Sequence, residues 1–425
     1  MDRGDLQQLS KDELIELVLR LQRPEKSSQT SSKPPSTDRK ARREQSKPGG
    51  AKAGHEGHSR RLTETPDRVV DYMPIRCTAC GAKISGDGAL ELIGEYDAIE
   101  LPPVSPYVVR HRRFACRCSD CGAPVRAPLP AAANGTPFGP RVHALAVYLK
   151  TFQALSYERL QRVFADLFGL TISQGALMNM FARTAAPFQA ETDAAIAQLR
   201  SARSVASDET GVRIEGLNAF HWVFRCKDAV VHVPDFTRAA EVVRTMMDGH
   251  RPEIWLSDRY SAQQKHGRRH QTCLAHLARD VAYADEHGDD DLPSRFRLWF
   301  GRAFALAAGI TTFASSTIAA KRRALERQLD DMLKAPTACP LAREVQAKIG
   351  RARHQLLTFC DFPGEVDATN NTCERALRPA VIQRKVTNGY RAMWAARAEA
   401  AVRTTVATAA LAGKAPFDAI CATLA

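Results

Sequence analysis

Two short cysteine turns constrain this chain more than any other feature: Cys77-Thr78-Ala79-Cys80-Gly81 and Cys118-Ser119-Asp120-Cys121-Gly122. A C-x-x-C-G string sets two thiols on one tight turn, and its glycine supplies the positive φ such a turn can need. Two of them bring four sulfurs, the set that closes a tetrahedral structural zinc site. The spacing predicts a zinc ribbon over residues 63–130 with Cys77, Cys80, Cys118 and Cys121 as ligands. The gap from Cys80 to Cys118 is longer than the ~15–20 residues usual between knuckles, so a hairpin has to fill it. Cys116 competes with Cys118 as a ligand, and spacing leaves both open. Alternation at Leu90-Glu91-Leu92-Ile93 and Tyr107-Val108-Val109-Arg110 predicts strands in this region.

A chain of 425 residues with 44% apolar content has material for several folded units. Its net charge of +13 points to a polyanionic partner, of which double-stranded DNA is the expected one. No stretch approaches the ~20 apolar residues of a membrane helix, and Met1 to Asp5 lack the basic-then-apolar layout of a signal peptide. Eleven cysteines without an export signal suit a reducing compartment. The expected setting is cytoplasmic, in association with the nucleoid.

The chain reads as a series of domains. Residues 1–23 form an N-terminal helix, with Ser10 and Glu13 spaced as a capping box; docked, frayed and short coiled-coil forms all stay open. Residues 24–62 read as a disordered basic linker able to lie along a DNA backbone. His55 and His58 within it have no helix to present them, so their spacing is read as incidental. After the ribbon, residues 138–200 are helical. Gly169 to Ser173 introduces Gln174-Gly175-Ala176-Leu177-Met178-Asn179-Met180-Phe181, which resembles a helix-turn-helix whose second helix would enter a major groove. A plain helical hairpin with Met178 and Phe181 in its core is the competing reading.

Residues 201–390 carry the chemistry. Ser204–Asp208, Val212–Glu215, Ala219–Lys227 with Ala229–Val233, a helix over 238–248, and Glu253–Ser257 suit a mixed sheet in an α/β layer fold. Asp208 then lies on the first strand and Asp258 at the end of the last, on neighbouring strands as in ribonuclease-H-like nucleases. Helical spacing dominates about 275–360, an α-helical insertion, before the segment Asn370-Asn371-Thr372-Cys373-Glu374-Arg375-Ala376-Leu377-Arg378-Pro379. Three carboxylates so placed, Asp208, Asp258 and Glu374, suit a pair of divalent ions roughly 3.5–4 Å apart on a phosphodiester. Glu209 points to the opposite face if the strand continues, and is not assigned as a ligand. Cys273 and His276 share a helical face; as a lone C-x-x-H pair they read as structural or DNA-positioning. Arg375, Arg378, Arg384 and Lys385 are the candidate phosphate contacts. An Ala-rich helix over 391–412 opens the C-terminal helical segment, 391–425.

The double knuckle, Ser207-Asp208-Glu209-Thr210, Leu256-Ser257-Asp258-Arg259-Tyr260, Cys273-Leu274-Ala275-His276 and the Asn370–Pro379 string together resemble the insertion-sequence-66 (TnpC-type) DDE transposases. The chain departs from them at Arg259, where glycine is common, and at Cys373, where alanine is usual. The resemblance implies cutting at terminal inverted repeats and joining of the freed 3′-hydroxyl to target DNA. It also implies Mg²⁺ or Mn²⁺ at Asp208, Asp258 and Glu374, structural Zn²⁺, and action as a homodimer or larger assembly on DNA. Two rival readings are a non-catalytic DNA-binding regulator and a metal-dependent nuclease without strand transfer.

Overall fold

The computed structural model describes residues 7, 9–21, 24–27, 30, 50, 54–57, 60–84, 90–129 and 136–425. Described residues numbered 40–106 form one unit, and those numbered 1–39 and 107–425 form another. Most of the basic linker, His58 included, lies outside the described residues.

In the 40–106 unit the first knuckle closes on itself. Gly81 N–H returns to Cys77 O and Cys77 N–H bonds Ala82 O, each at 2.9 Å, with Gly81 at φ 75°. Arg76 and Lys83 form an isolated antiparallel bridge around it. The strand expected at Leu90–Ile93 does not form: Leu92 and Ile93 are exposed, and no neighbouring strand pairs with them. Alternation builds a strand only where a partner edge exists.

In the other unit, helix α1 (Lys11–Leu21) starts on the expected capping box. Glu13 Oε2 accepts from Ser10 N–H and Oγ, both 2.8 Å, and Glu13 N–H donates to Ser10 Oγ at 3.3 Å. Residues 24–27 depart from the linker expectation. Lys26 pairs with Asp280 at 3.5 Å and lies over the Tyr283 ring, while Tyr283 Oη donates to Pro24 O at 2.7 Å. The second knuckle repeats the first, with Gly122 N–H on Cys118 O at 2.9 Å, between strands β1 (Ala115–Arg117) and β2 (Pro124–Arg126). The strand expected at Tyr107–Arg110 does not form among the described residues.

Helices α2 (Pro140–Thr151), α3 (Tyr157–Phe168), α4 (Gln174–Arg183) and α5 (Ala185–Ser201) follow. Between α3 and α4, Gly169 at φ 60° ends one helix and Ser173 Oγ caps the next by accepting Ala176 N–H at 3.1 Å. Phe181 is core, as the hairpin reading required, but Met178 is exposed along with Gln174, Asn179 and Arg183.

A five-stranded mixed sheet follows, in the order β5-β4-β3-β6-β7. Its strands are β3 (Ser204–Ile214), β4 (Leu217–Arg225), β5 (Val230–Asp235), β6 (Ile254–Ser257) and β7 (Arg269–Thr272), with α6 (Ala240–Met247) crossing from β5 to β6. The two pieces expected at 204–208 and 212–215 are one continuous strand. Because strand residues alternate faces, Val205, Trp222, Phe224, Val231 and Trp255 pack on α5 and α6, whereas Ala206, Val223, Val230 and Leu256 pack on the opposite face. Burying each such large apolar side chain is worth about 1.5–3 kcal/mol.

Helices α7 (Leu274–His287), α8 (Leu292–Ala308), α9 (Ser315–Lys334) and α10 (Pro340–Arg351) build their own core around Phe296, Trp299 and Phe300. Helix α11 (Asn371–Thr387) then crosses β3 and β4, with Cys373 and Leu377 on the Ala206 face. It runs beyond the expected segment, so Arg384 and Lys385 sit in its last turn rather than in a tail. Asn388 and Gly389 end it at positive φ, and Tyr390 N–H reaches Arg213 O at 2.8 Å. A Cβ at Gly389 would lie 2.1 Å from Arg213 O, so only glycine permits this approach.

Helices α12 (Met393–Leu411) and α13 (Pro416–Leu424) are not a separate appendage. Helix α12 covers the outer edge of β5: Val230 N–H donates to Thr408 Oγ1 at 3.1 Å and His232 N–H to Thr404 Oγ1 at 2.9 Å. An open strand edge is thereby closed by two hydroxyls one helical turn apart. The same helix carries the buried pair Arg403–Glu399, beside the buried His221–His232 hydrogen bond of 2.9 Å.

Candidate active site

The parallel pairing of β3 with β6 matches Ser204 to Ile254, Val205 to Trp255 and Ala206 to Leu256. Two residues further along each chain stand Asp208 and Asp258. Asp208 continues the Ala206 row toward α11, and Asp258 follows directly where β6 ends. Glu374 lies in the first turn of α11.

Asp208 feels the acids around it. Burial holds the Asp208 carboxyl well above its ordinary range, and the charges of Glu209, Asp258 and Glu374 push it the same way. One oxygen of each aspartate is already anchored by backbone: Glu209 N–H donates to Asp208 Oδ1 at 2.9 Å and Tyr260 N–H to Asp258 Oδ1 at 2.8 Å. The buried Oε1 of Glu374 has no hydrogen-bond donor. The donor atoms of Asp208, Asp258 and Glu374 do not all come within 4.8 Å of one another; what the three share is carboxylate oxygen, the donor type a Mg²⁺-class cation takes.

Sequence reasoning assigned no role to the residues that hold this frame. Asn370, fully buried, donates its Nδ2 to Ser207 O at 2.9 Å, tying the start of α11 to the strand beside Asp208. Glu209 points to the opposite face, as strand alternation required. There it takes Arg238 at 2.6 Å and Gln263 Nε2 at 2.6 Å, with the Arg238 guanidinium 3.9 Å from the Tyr260 ring centre. An ion pair with one partner this buried braces β3 and the loop after Asp258 from behind. The Asn-Asn pair before Glu374 was the visible signal for the first contact; nothing in the sequence signalled the second.

Cys273 and His276 also converge here. Among the described residues, one group of three potential ligands has all its donor atoms within 4.8 Å of one another: Cys273, His276 and Glu374. Of the candidate phosphate contacts, Arg375, Arg378 and Lys385 are exposed on α11. Arg384 instead turns to β3, donating to Thr210 Oγ1 at 3.1 Å and to Gly211 O. Arg259 is half-buried, and Asp280 is its strongest charge partner.

Comparison with protein families finds two matches. The model described as "Transposase IS66 family" matches residues 135–398, and that described as "zinc-finger binding domain of transposase IS66" matches residues 74–122. None of the curated proteins compared with the chain matches it. Among the described residues, no helix is long and apolar enough to cross a membrane.

Proposed function

The chain belongs to the IS66 transposase family, in which a zinc-finger domain precedes a mixed α/β domain, and on that premise we propose that Asp208, Asp258 and Glu374 are its catalytic carboxylates. One observation carries the reading. Asp208 on β3 and Asp258 just past the end of the parallel neighbour β6 each stand two residues beyond the pair Ala206–Leu256, and Glu374 lies in the first turn of the helix that crosses β3. The sheet order, with the first strand central and the first three strands antiparallel, is the arrangement expected of a ribonuclease-H-like core.

In this reading the protein binds terminal inverted repeats, cuts phosphodiester bonds there and joins the 3′-hydroxyl ends to target DNA. Asp208, Asp258 and Glu374 would hold the divalent ions, Mg²⁺ or Mn²⁺, which would supply activation of the attacking oxygen and neutralisation of charge on the leaving one. The chain contributes positioning and electrostatic complementarity. Glu209 N–H and Tyr260 N–H fix one oxygen of each aspartate and leave the other oxygens for the ions. Asn370 sets the height of Glu374 above the strand. Arg375, Arg378 and Lys385 face outward to meet phosphates, and the exposed face of α4, with Gln174, Asn179 and Arg183, is the segment offered to a groove. Cys77, Cys80, Cys118 and Cys121 are the proposed Zn²⁺ ligands, since the zinc-finger match spans both knuckles. The proposed domains keep the limits 1–23, 24–62, 63–130, 138–200, 201–390 and 391–425, although α12 packs on the sheet.

Asp208→Asn and Glu374→Gln test this. End-containing DNA incubated with Mg²⁺ or Mn²⁺ should be cut by the wild type and at least ~10³-fold more slowly by either variant, the scale of a single preorganised electrostatic group. DNA binding should persist. Undiminished cleavage by Asp208→Asn would refute the assignment. A precut 3′-hydroxyl end that is never joined to plasmid would instead indicate a plain nuclease.

A further inference from the structure

Beyond the carboxylate trio, we infer that Cys273, His276 and Glu374 form a second metal site, selective for a thiolate-binding transition ion such as Zn²⁺ or Co²⁺. The three donor atoms lie within 4.8 Å of one another, and His276 Nδ1 is 3.8 Å from Glu374 Oε1. Both of these atoms are buried, and neither has a hydrogen-bond partner. Two orphaned polar atoms separated by more than a hydrogen bond, beside a sulfur, leave a gap that a cation would satisfy.

The local backbone strengthens the case. Asn370 N–H donates to Cys273 Sγ at 3.1 Å, which ties the sulfur to the start of α11, the turn that carries Glu374. Cys273-Leu274-Ala275-His276 has the C-x-x-ligand spacing of the two knuckles, with histidine in the place of the second cysteine. Thiolate, imidazole and carboxylate together select a borderline-soft ion over Mg²⁺, and three protein ligands leave a fourth position open. On coordination the Cys273 thiol gives its proton to solvent.

This site shares Glu374 with the catalytic trio but does not depend on the catalytic reading. The test is the zinc content of the full-length chain after dialysis. Wild type should hold one zinc more than His276→Ala or Cys273→Ser, while Asp208→Asn should hold as many as wild type. A full-length Cys77→Ser, Cys121→Ser chain guards against misfolding of the site variants: it should still bind one Co²⁺ and show thiolate-to-cobalt charge-transfer absorption. Equal zinc in wild type and His276→Ala, or no Co²⁺ bound by the knuckle variant, would overturn the proposal. Loss of cleavage in Asp208→Asn bears only on the trio, so the two readings fail separately.

Discussion

The knuckle-bearing stretch and the α/β body are held by different forces. Between residues 60 and 129, large apolar residues such as Ile93 (96% exposed) and Tyr107 (93%) face solvent, and the regular strands are three residues long. What order there is comes from turns, with Gly81 and Gly122 at positive φ. In the body, Trp222, Trp255 and Trp299 are at most 1% exposed, and α12 covers the outer edge of β5. The described residues of this stretch form no apolar core, and the proposed zinc is what would stabilise it. A region with one draws its stability from packing and is sensitive to cavities and stranded charges.

That contrast can be broken most forcefully at a single knuckle. Structural zinc is worth on the order of 10 kcal/mol to a small domain. Substituting Cys121→Ser should open residues 60–129 to protease while the thermal transition of the body stays in place. A body that melts together with the stretch would erase the distinction.

The next largest effect belongs to the body. Arg403→Ala leaves Glu399 buried without its partner and should cost about 3–5 kcal/mol, read by chemical denaturation. Unchanged zinc content in that variant would sharpen the contrast further.

The smallest effect is graded with pH. Burial holds His221 down at about 3 and His232 well below its ordinary range, so both are neutral in the fold. An unfolded histidine takes a proton below about 6.5 and the folded ones do not. Their contribution is therefore complete above that pH and is lost as pH falls toward the folded values. Each should steepen the acid loss of stability by about 1.4 kcal/mol per pH unit. The double variant His221→Gln, His232→Gln should flatten the slope; an unaltered slope would mean the pair is not the titrating element.

Much of this architecture was legible beforehand. Apolar runs ending in Asp208 and Asp258 identified β3 and β6, and the Ser10–Glu13 spacing identified the cap of α1. Strand β7 was not legible, because Arg269-His270-Gln271-Thr272 carries no apolar signal. Several of its polar groups are satisfied by turns far along the chain, as where Gln271 Nε2 donates to Leu356 O, 85 residues downstream at 3.1 Å. The break expected within β3 failed for a related reason: pairing along β4 from Ala206–Arg225 to Ile214–Leu217 holds the whole strand straight through Gly211. Cys273 and His276 looked like a weak isolated pair because their third partner stands about a hundred residues away on α11.

By itself the sequence determined the elements whose cause is local: knuckle turns, helix caps, the alternation that separates Asp208 from Glu209, and the family to which they belong. Only the tertiary structure decided which distant groups share a site. Residue spacing encodes what lies along one strand or one helix turn, whereas the register of β3 on β6 and the crossing of α11 arise from packing the whole sheet. That packing sets Glu374 beside His276 and ties the start of its helix to the strand that carries Asp208.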